Sequence, residues 1–210
     1  MTEIIFATEN PGKLREVKDF ARNFEVDVFM PSEVGFERVE VEETGTTYQE
    51  NAKLKVQAYL SQALANNYII CGDDTGIEIN ALGGEPGIHT RRWKDGVHPM
   101  TDAEIIDYAL EQLDGVADRS ATFRSAVAVS YYGQPVEYTS GALPGTIAKE
   151  VFADSPKEEG VPFRKLFLVD GEPPIPLWRY HGMSLEERNG RFSHREQAFA
   201  SLFSQLKNLK

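Results

Sequence analysis

Two adjacent carboxylates, Asp73 and Asp74, are the residues whose type and spacing best suit chemistry. They follow an apolar run at 69–71 and precede Thr75-Gly76, residue types that disfavour strands and favour turns. We therefore expect one strand to end before Asp73 and another to cover 76–81. Ligands of open α/β sheets bind beyond strand ends, where Mg²⁺ is held by one or two carboxylates and substrate phosphates. The pair predicts either a metal and phosphate site or a plain turn between strands.

A second candidate site lies where a predicted first strand, residues 4–7, meets a predicted first helix. Asn10 suits the N-cap of this helix and Pro11 suits its first position. A helix N-terminus directs backbone N–H groups at an anion, and Lys13 adds a full positive charge. The turn at 8–13 is therefore a candidate phosphate site, although most such turns bind nothing.

A third group of charged residues surrounds a predicted helix over 47–66. Thr47 and Glu50 form a capping box at its start. Glu43 precedes the helix, and it either favours the helix dipole or ligates a metal. Lys55 lies in the first half of the helix, and its alternative to a phosphate ligand is an ordinary solvated lysine.

A fourth signal lies at the start of the last predicted helix, which Ser193 and Glu196 cap. His194 and Arg195 place cations in the first turn, where the helix dipole prefers anions. A phosphate bound in front of the helix would explain this pair better than a plain surface helix.

The remaining pattern predicts a mixed sheet, because strands alternate with helices and one pair is antiparallel. The further predicted elements are a strand at 26–29, a helix at 101–113, a hairpin from 122 to 147, a buried strand at 166–169 and an irregular excursion at 170–182.

Composition limits the class of protein. A length of 210 residues suits one domain over 1–210, and a formal net charge of −11 argues against wide binding to nucleic acid polymers. No run approaches the ~18 apolar residues of a membrane span, and the N-terminal residues do not resemble a signal peptide. One cysteine, Cys71, permits no internal disulfide. We therefore expect a cytoplasmic protein without a membrane partner.

Four separated motifs resemble those of one family. Thr8-Glu9-Asn10-Pro11-Gly12-Lys13 is similar to its T-G-N-x-x-K turn, and Glu43-Thr44-Gly45 with Glu50-Asn51-Ala52 is similar to its E-T-G…E-N-A helix start. Residues 73–87 resemble D-D-S-G-L…A-L-G-G-x-P-G, and Ser193-His194-Arg195 matches its terminal S-H-R. The family is the inosine triphosphate pyrophosphatases, and the order and spacing agree over nearly the whole chain.

The resemblance implies an α/β fold with an elongated mixed β-sheet flanked by helices and two lobes around a central cleft. It implies a homodimer that uses Mg²⁺ to cleave nucleoside triphosphates of non-standard purines (ITP, dITP, XTP) to monophosphate and pyrophosphate. Glu43 and Asp74 would hold the metal, and Asp74 would also be the catalytic base for the attacking water. The residues implied in substrate binding are Thr8, Glu9, Asn10, Pro11, Gly12, Lys13, Lys55, Thr75, Arg188, His194 and Arg195.

The chain departs from the family motifs at three places. Glu9 replaces a glycine and brings a carboxylate beside the expected phosphates, which is unfavourable unless it points away or meets a cation. The base-recognition box F-G-[YW]-D falls on Val161-Pro162-Phe163-Arg164, so a donor-only guanidinium replaces an acceptor carboxylate. The family lysine ahead of S-H-R aligns with either Arg188 or Asn189.

Three alternatives stay open. The altered box is compatible with a pyrophosphatase of shifted base specificity, for a modified or an ordinary nucleotide. A nucleotide-binding module without catalysis would have less need of an acid cluster around a metal. A protein without any small ligand would leave Lys13, Lys55 and the His194-Arg195 pair unexplained.

Trp178 and Tyr180 either stack on a base or pack in the core, and packing is the commoner fate.

Overall fold

A mixed β-sheet with flanking helices forms the fold in a computed structural model, which describes residues 2–157 and 160–206, apart from the side chains of residues 63 and 64. The strands are β1 (Thr2–Phe6), β2 (Val26–Phe29), β3 (Ile69–Ile79), β4 (Pro86–Gly87), β5 (Ser120–Tyr131), β6 (Glu137–Ile147), β7 (Phe167–Val169) and β8 (Ile175–Pro176). The helices are α1 (Pro11–Ala21), α2 (Tyr48–Leu60), α3 (Asp102–Gln112), α4 (Leu177–Gly182) and α5 (His194–Leu206). Among these described helices, none is long and apolar enough to span a membrane.

The strand order in the described part of the chain is β2-β1-β3-β5-β6-β7-β8, with β4 paired to β3. β1 is parallel to both β2 and β3, whereas the pairs β3–β4, β6–β7 and β7–β8 are antiparallel. The prediction of a mixed sheet is therefore confirmed.

The prediction that a strand ends before Asp73 is wrong. β3 runs without interruption from Ile69 to Ile79, so the acid pair and Gly76 lie inside one strand. Turn propensity is a weak preference that tertiary contacts override. Here both carboxylates find cationic partners from other elements, which stabilises them in extended backbone.

Local capping signals place the helix starts as expected. Asn10 caps α1 by accepting hydrogen bonds from the backbone N–H groups of Gly12 and Lys13, and Pro11 takes the first position. Capping boxes open α2 and α3. α2 ends at Leu60, earlier than the predicted residue 66, and a separate 3₁₀ turn covers Ala63–Asn67. The excursion predicted as irregular at 170–182 contains β8 and α4.

The chain forms two compact units, and β3, β5 and β6 each contribute residues to both. Within the described residues, unit 1 comprises 2–75, 125–141 and 194–206, and unit 2 comprises 76–124 and 142–193. A core cluster in unit 1 includes Ile5, Val56, Tyr59 and Ile70, and α1 and α5 pack aromatic rings such as Phe20 and Phe203 against each other. A core cluster in unit 2 includes Ile105, Phe163, Phe167 and Tyr180. The assignment of one domain to the whole chain stays a prediction.

Candidate active site in unit 1

The two faces of β3 divide the acid pair, because successive side chains of a strand point to opposite sides. Asp73 and Thr75 contact residues of α1 and α5. Asp74 contacts residues of α2, and a Cβ added at Gly72 would lie 3.0 Å from the Cβ of Lys55 on the same helix. Each aspartate therefore has its own set of partners within unit 1.

Asp73 is the centre of a buried ionic network. Its side chain is 1% exposed, Lys13 Nζ lies 2.9 Å from Oδ1, and Arg195 Nε lies 3.0 Å from Oδ2. The hydroxyl of Thr75 also donates to Oδ2, at 3.0 Å. Burial alone would raise the pKa of Asp73, but the charges of Lys13, Arg195 and Lys55 outweigh it and hold the pKa well below its usual range. Asp73 is therefore ionised at any working pH.

Arg195 donates hydrogen bonds from all three of its guanidinium nitrogens. Besides Asp73, it contacts Glu16 Oε2 at 2.6 Å through Nη1 and Thr75 Oγ1 at 3.2 Å through Nη2. Burial would lower the pKa of Arg195, but Glu16 and Asp73 raise it overall. Two carboxylates thus face a cation in the first turn of α5, where the sequence argument expected a bound phosphate. His194, the first residue of this helix, is 3% exposed.

Asp74 has a different environment. Lys55 Nζ lies 3.2 Å from its Oδ1, and Asn51 Nδ2 donates to its Oδ2 at 3.3 Å. Burial raises the pKa of Asp74, and the neighbouring charges of Glu43 and Asp73 add to this, so that the pKa lies above its usual value despite the nearby lysines. Asp74 is therefore the member of the pair that can take up a proton more readily.

Lys55 links Asp74 to the segment that precedes α2. Its Nζ lies 3.0 Å from Glu43 Oε2 and 3.0 Å from the backbone oxygen of Asp73. Asn51 Oδ1 accepts a hydrogen bond from the backbone of Gly45 at 2.8 Å, and a Cβ at Gly45 would lie only 2.6 Å from that oxygen. The glycine therefore allows the segment with Glu43 to approach α2 closely.

The turn predicted to bind phosphate brings Lys13 to the acid pair but uses some of its own donors. The backbone N–H groups of Gly12 and Lys13, which we expected to face an anion, donate to Asn10 Oδ1 at 2.9 and 3.2 Å. Thr8 Oγ1 accepts from the backbone of Asn10 at 3.2 Å. Burial lowers the pKa of Lys13; Asp73 raises it in part, and Lys55 and Arg195 lower it further.

Glu9, the carboxylate that stands where a glycine is expected, is paired with a cation. Arg38 donates from Nε and Nη2 to the two oxygens of Glu9, both at 2.7 Å. Both side chains are exposed. The carboxylate that replaces the expected glycine is thus neutralised by a bidentate partner.

Twelve of the thirteen predicted site residues lie in unit 1; these are Thr8, Glu9, Asn10, Pro11, Gly12, Lys13, Glu43, Lys55, Asp74, Thr75, His194 and Arg195. Arg188 is the exception. It is a buried residue of unit 2 whose guanidinium lies 4.9 Å from the centre of the Tyr180 ring.

The residues of the altered base-recognition box belong to unit 2. Phe163 is 2% exposed and packs near Trp93 and Phe123, while Arg164 is half-buried at a 3₁₀ turn. Tyr180 is also buried, and its hydroxyl donates to the backbone oxygen of Arg191 at 2.7 Å. For Tyr180, packing is therefore the interpretation that the structure supports.

Sequence reasoning gave no role to three residues of the network, Glu16, Asn51 and Ser125, and it considered Asp73 only as part of the acid pair. Ser125 on β5 lies 3.1 Å from Thr75, hydroxyl to hydroxyl. A signal was available for Glu16, because it lies three residues after Lys13 and so shares a helix face with it. For Asp73 the signal was its place beside Asp74. Ser125 carried none.

Among the described residues, no group of three or more His, Cys, Asp or Glu side chains could hold a metal ion alone. The oxygens of Glu43 and Asp74 nevertheless converge on one cation, the ammonium of Lys55. They are hard donors of the kind that Mg²⁺ shares with phosphates. The donor set therefore fits a divalent ion that a substrate helps to hold.

Comparison with known proteins agrees with this fold. The Ham1 family model matches residues 4–205. A dITP/XTP pyrophosphatase of Bacillus subtilis is 35% identical over 205 residues, covering 96% of each chain, and one of Caldanaerobacter subterraneus is 33% identical over 204 residues, covering 96% of this chain and 94% of the relative. A solved Ham1 protein of Staphylococcus aureus has a TM-score of 0.75 at 30% identity with both chains fully covered. One from Coxiella burnetii has a TM-score of 0.75 at 29% identity, covering 99% of this chain and 100% of that one.

Proposed function

The chain belongs to the Ham1 family, and from that premise we propose that it hydrolyses nucleoside triphosphates to nucleoside monophosphate and pyrophosphate. Relatives named dITP/XTP pyrophosphatase support non-standard purine nucleotides as the substrates. The observation that carries the proposal is the convergence of Lys13, Lys55 and Arg195 on the adjacent carboxylates Asp73 and Asp74.

The charged residues of the site have separate parts in this proposal. Lys13 contacts the phosphates and offsets the charge that develops on them. Asp74 accepts a proton from the attacking water, since a carboxylate whose pKa is raised is a better base near neutral pH. Arg195 and Asp73 fix the positions of Thr75 and Lys13.

We propose Mg²⁺ as the cofactor, held by Glu43 and Asp74 together with the substrate phosphates. When bound, such an ion polarises the phosphoryl oxygens and lowers the pKa of bound water. The support in this chain is the pair of oxygens that share Lys55 as a cation.

The direct test is Asp74→Asn, assayed by pyrophosphate release from dITP. Loss of the base should lower kcat by about 10²–10⁴. The matched control is Asp107→Asn, an exposed aspartate of α3 in unit 2, which should keep wild-type turnover. Near-normal turnover in a folded Asp74→Asn protein would remove Asp74 from the mechanism.

Base choice needs its own experiment, because Arg164 stands where the family box has a carboxylate. A panel of ITP, dITP, XTP, ordinary nucleotides and modified pyrimidine nucleotides, assayed side by side, decides between the proposed substrates and a shifted specificity. Stabilisation by nucleotide and Mg²⁺ without any product would instead favour a binding module.

We also propose a cytoplasmic homodimer that acts on a free nucleotide. The buried thiol of Cys71 is compatible with a reducing compartment. Light scattering coupled to size-exclusion chromatography measures the oligomeric state, and a monomer mass at working concentrations would contradict the dimer.

A further inference from the structure

The ammonium group of Lys55 is surrounded by three oxygens of the protein. A lysine ammonium carries three N–H donors. The Lys55 ammonium donates to Asp74 Oδ1 at 3.2 Å and to the backbone oxygen of Asp73 at 3.0 Å, and it forms an ion pair with Glu43 Oε2 at 3.0 Å. The side chain is 15% exposed, so water has little access to it. To contact a phosphate, Lys55 must therefore give up a carboxylate.

Lys13 differs from Lys55 in this respect. Among the acceptors of the described residues, its ammonium bonds to one, Asp73 Oδ1 at 2.9 Å. Two of its three donors are therefore available to a ligand. The two lysines thus have separate roles. Lys13 can contact the phosphates directly, whereas Lys55 is paired with Glu43 and Asp74.

The stem of Lys55 is fixed by its packing on β3. A Cβ at Gly72 would lie 3.0 Å from the Cβ of Lys55 and 3.1 Å from the backbone oxygen of Ala52. The helix and the strand therefore approach each other closely at the base of the Lys55 side chain. Two of the three oxygens around the ammonium belong to carboxylates, and a lysine is ordinarily charged at neutral pH.

A divalent cation that entered between Glu43 and Asp74 would meet this positive charge at close range. A cation within about 4–6 Å lowers the pKa of a carboxylate by about 1–3 units, which means that the carboxylate binds a proton less tightly. A divalent metal ion carries twice the charge of a proton, so the same cation opposes its binding more strongly. The polyanionic phosphates of a nucleotide would offset both the ion and the lysines.

We propose that Lys55 is an internal counter-ion that prevents Glu43 and Asp74 from binding a free divalent cation, so that the metal enters together with the nucleotide. The inference rests on the proposed function, since both assign Glu43 and Asp74 to the metal. Metal and nucleotide binding are then strongly coupled, and the coupling is reciprocal.

The test measures binding of Mn²⁺ alone to the full chain by titration calorimetry, at about pH 8, where carboxylates are ionised. Lys55→Met removes the charge and keeps the length of the side chain, so it should bind Mn²⁺ at least about tenfold more tightly than the wild type. Lys55→Arg keeps the charge and should bind as weakly as the wild type. Lys53→Met, a change two residues earlier on the same helix, is the matched control. Equal affinity of Lys55→Met and wild type would overturn the inference.

A measurement on the wild type covers the case in which Lys55→Met does not fold. Mn²⁺ alone should leave the midpoint of thermal unfolding unchanged, whereas Mn²⁺ with inorganic tripolyphosphate should raise it. A rise with Mn²⁺ alone would overturn the inference. Neither readout needs turnover, so absence of pyrophosphate release would contradict the proposed function and leave the result for Lys55 standing on its own.

Discussion

Asp73 and Asp74 are the same residue type in adjacent positions, yet their environments shift their pKa values in opposite directions. Lys13 and Arg195 lower the pKa of the first, while burial and neighbouring acids raise that of the second. Pairs of titratable groups whose pKa values are pushed apart mark different roles. Asp73 is a permanent anion that positions cations, and Asp74 is the group suited to proton transfer.

The Glu9–Arg38 pair leads to a first prediction. In Arg38→Ala, the carboxylate of Glu9 loses its partner beside the proposed phosphate turn, so the KM for dITP should rise by a factor of up to about five. Glu9→Gly should leave KM near the wild-type value. The double variant should return to that value, because without Glu9 no unpaired carboxylate remains beside the turn. Steady-state kinetics of the four proteins give the coupling, and additive effects would contradict it.

Lys13 leads to a second prediction, about pH. The pKa of Lys13 lies below its ordinary value. The positive charge that attracts phosphates is therefore present below this lowered pKa and is lost as the pH rises through it. The KM for dITP should therefore rise in mildly alkaline solution. Lys13→Arg keeps its charge and should show a flatter profile between about pH 7 and 10. Lys18→Arg, a surface change, is the control, and identical profiles for wild type and Lys13→Arg would contradict the assignment.

At the scale of elements, the site depends on how closely α2 approaches β3. The closeness is a consequence of Gly72, whose face of the strand is occupied by Lys55 and Ala52. Side-chain alternation then directs Asp74 to the same helix and Asp73 to α1 and α5.

Gly72→Ala gives a third prediction. The new methyl group must separate the strand and the helix by a few tenths of an ångström, which should cost about 1–3 kcal/mol in the free energy of unfolding. It should also lower kcat, since Lys55 would no longer hold Asp74 in place. Gly182→Ala is the matched control, because a Cβ there meets nothing within 4 Å. Urea unfolding and pyrophosphate release measure both effects, and unchanged kcat would show that the contact is not needed.

The elements differ in how well sequence can predict them. The caps at Thr47 and Thr101 were predictable because their hydrogen bonds join residues three positions apart. The continuity of β3 was not, because the partners of Asp73 lie 60 and 122 positions away, at Lys13 and Arg195. No local preference carries that information. The site residues were reached from motif resemblance and charge placement, whereas the geometry that makes Lys55 a bridge depends on packing.

At the scale of the whole molecule, a formal net charge of −11 opposes polyanions, although unit 1 gathers several cations. Those cations are paired with neighbouring acids, so they do not form a basic surface.

The fourth prediction follows from this charge distribution. The protein should not retain single- or double-stranded polynucleotides in a filter-binding assay at about 0.15 M salt. Inorganic tripolyphosphate with a divalent cation should still stabilise it against heat. Retention of polynucleotide that weakens steeply with added salt would contradict the prediction.

The unbroken path of β3 also bears on how rigid the centre is before any ligand arrives. β3 lies between β1 and β5 in the strand order and pairs with β1 as far as Cys71, two residues before the acid pair. The amides of such an interior strand open rarely to solvent deuterium. The segment 37–46 has no regular structure and should exchange quickly. A bound nucleotide should then slow amide exchange in the segment 37–46, while the exchange rates of Asp73 and Asp74 should be the same with and without it.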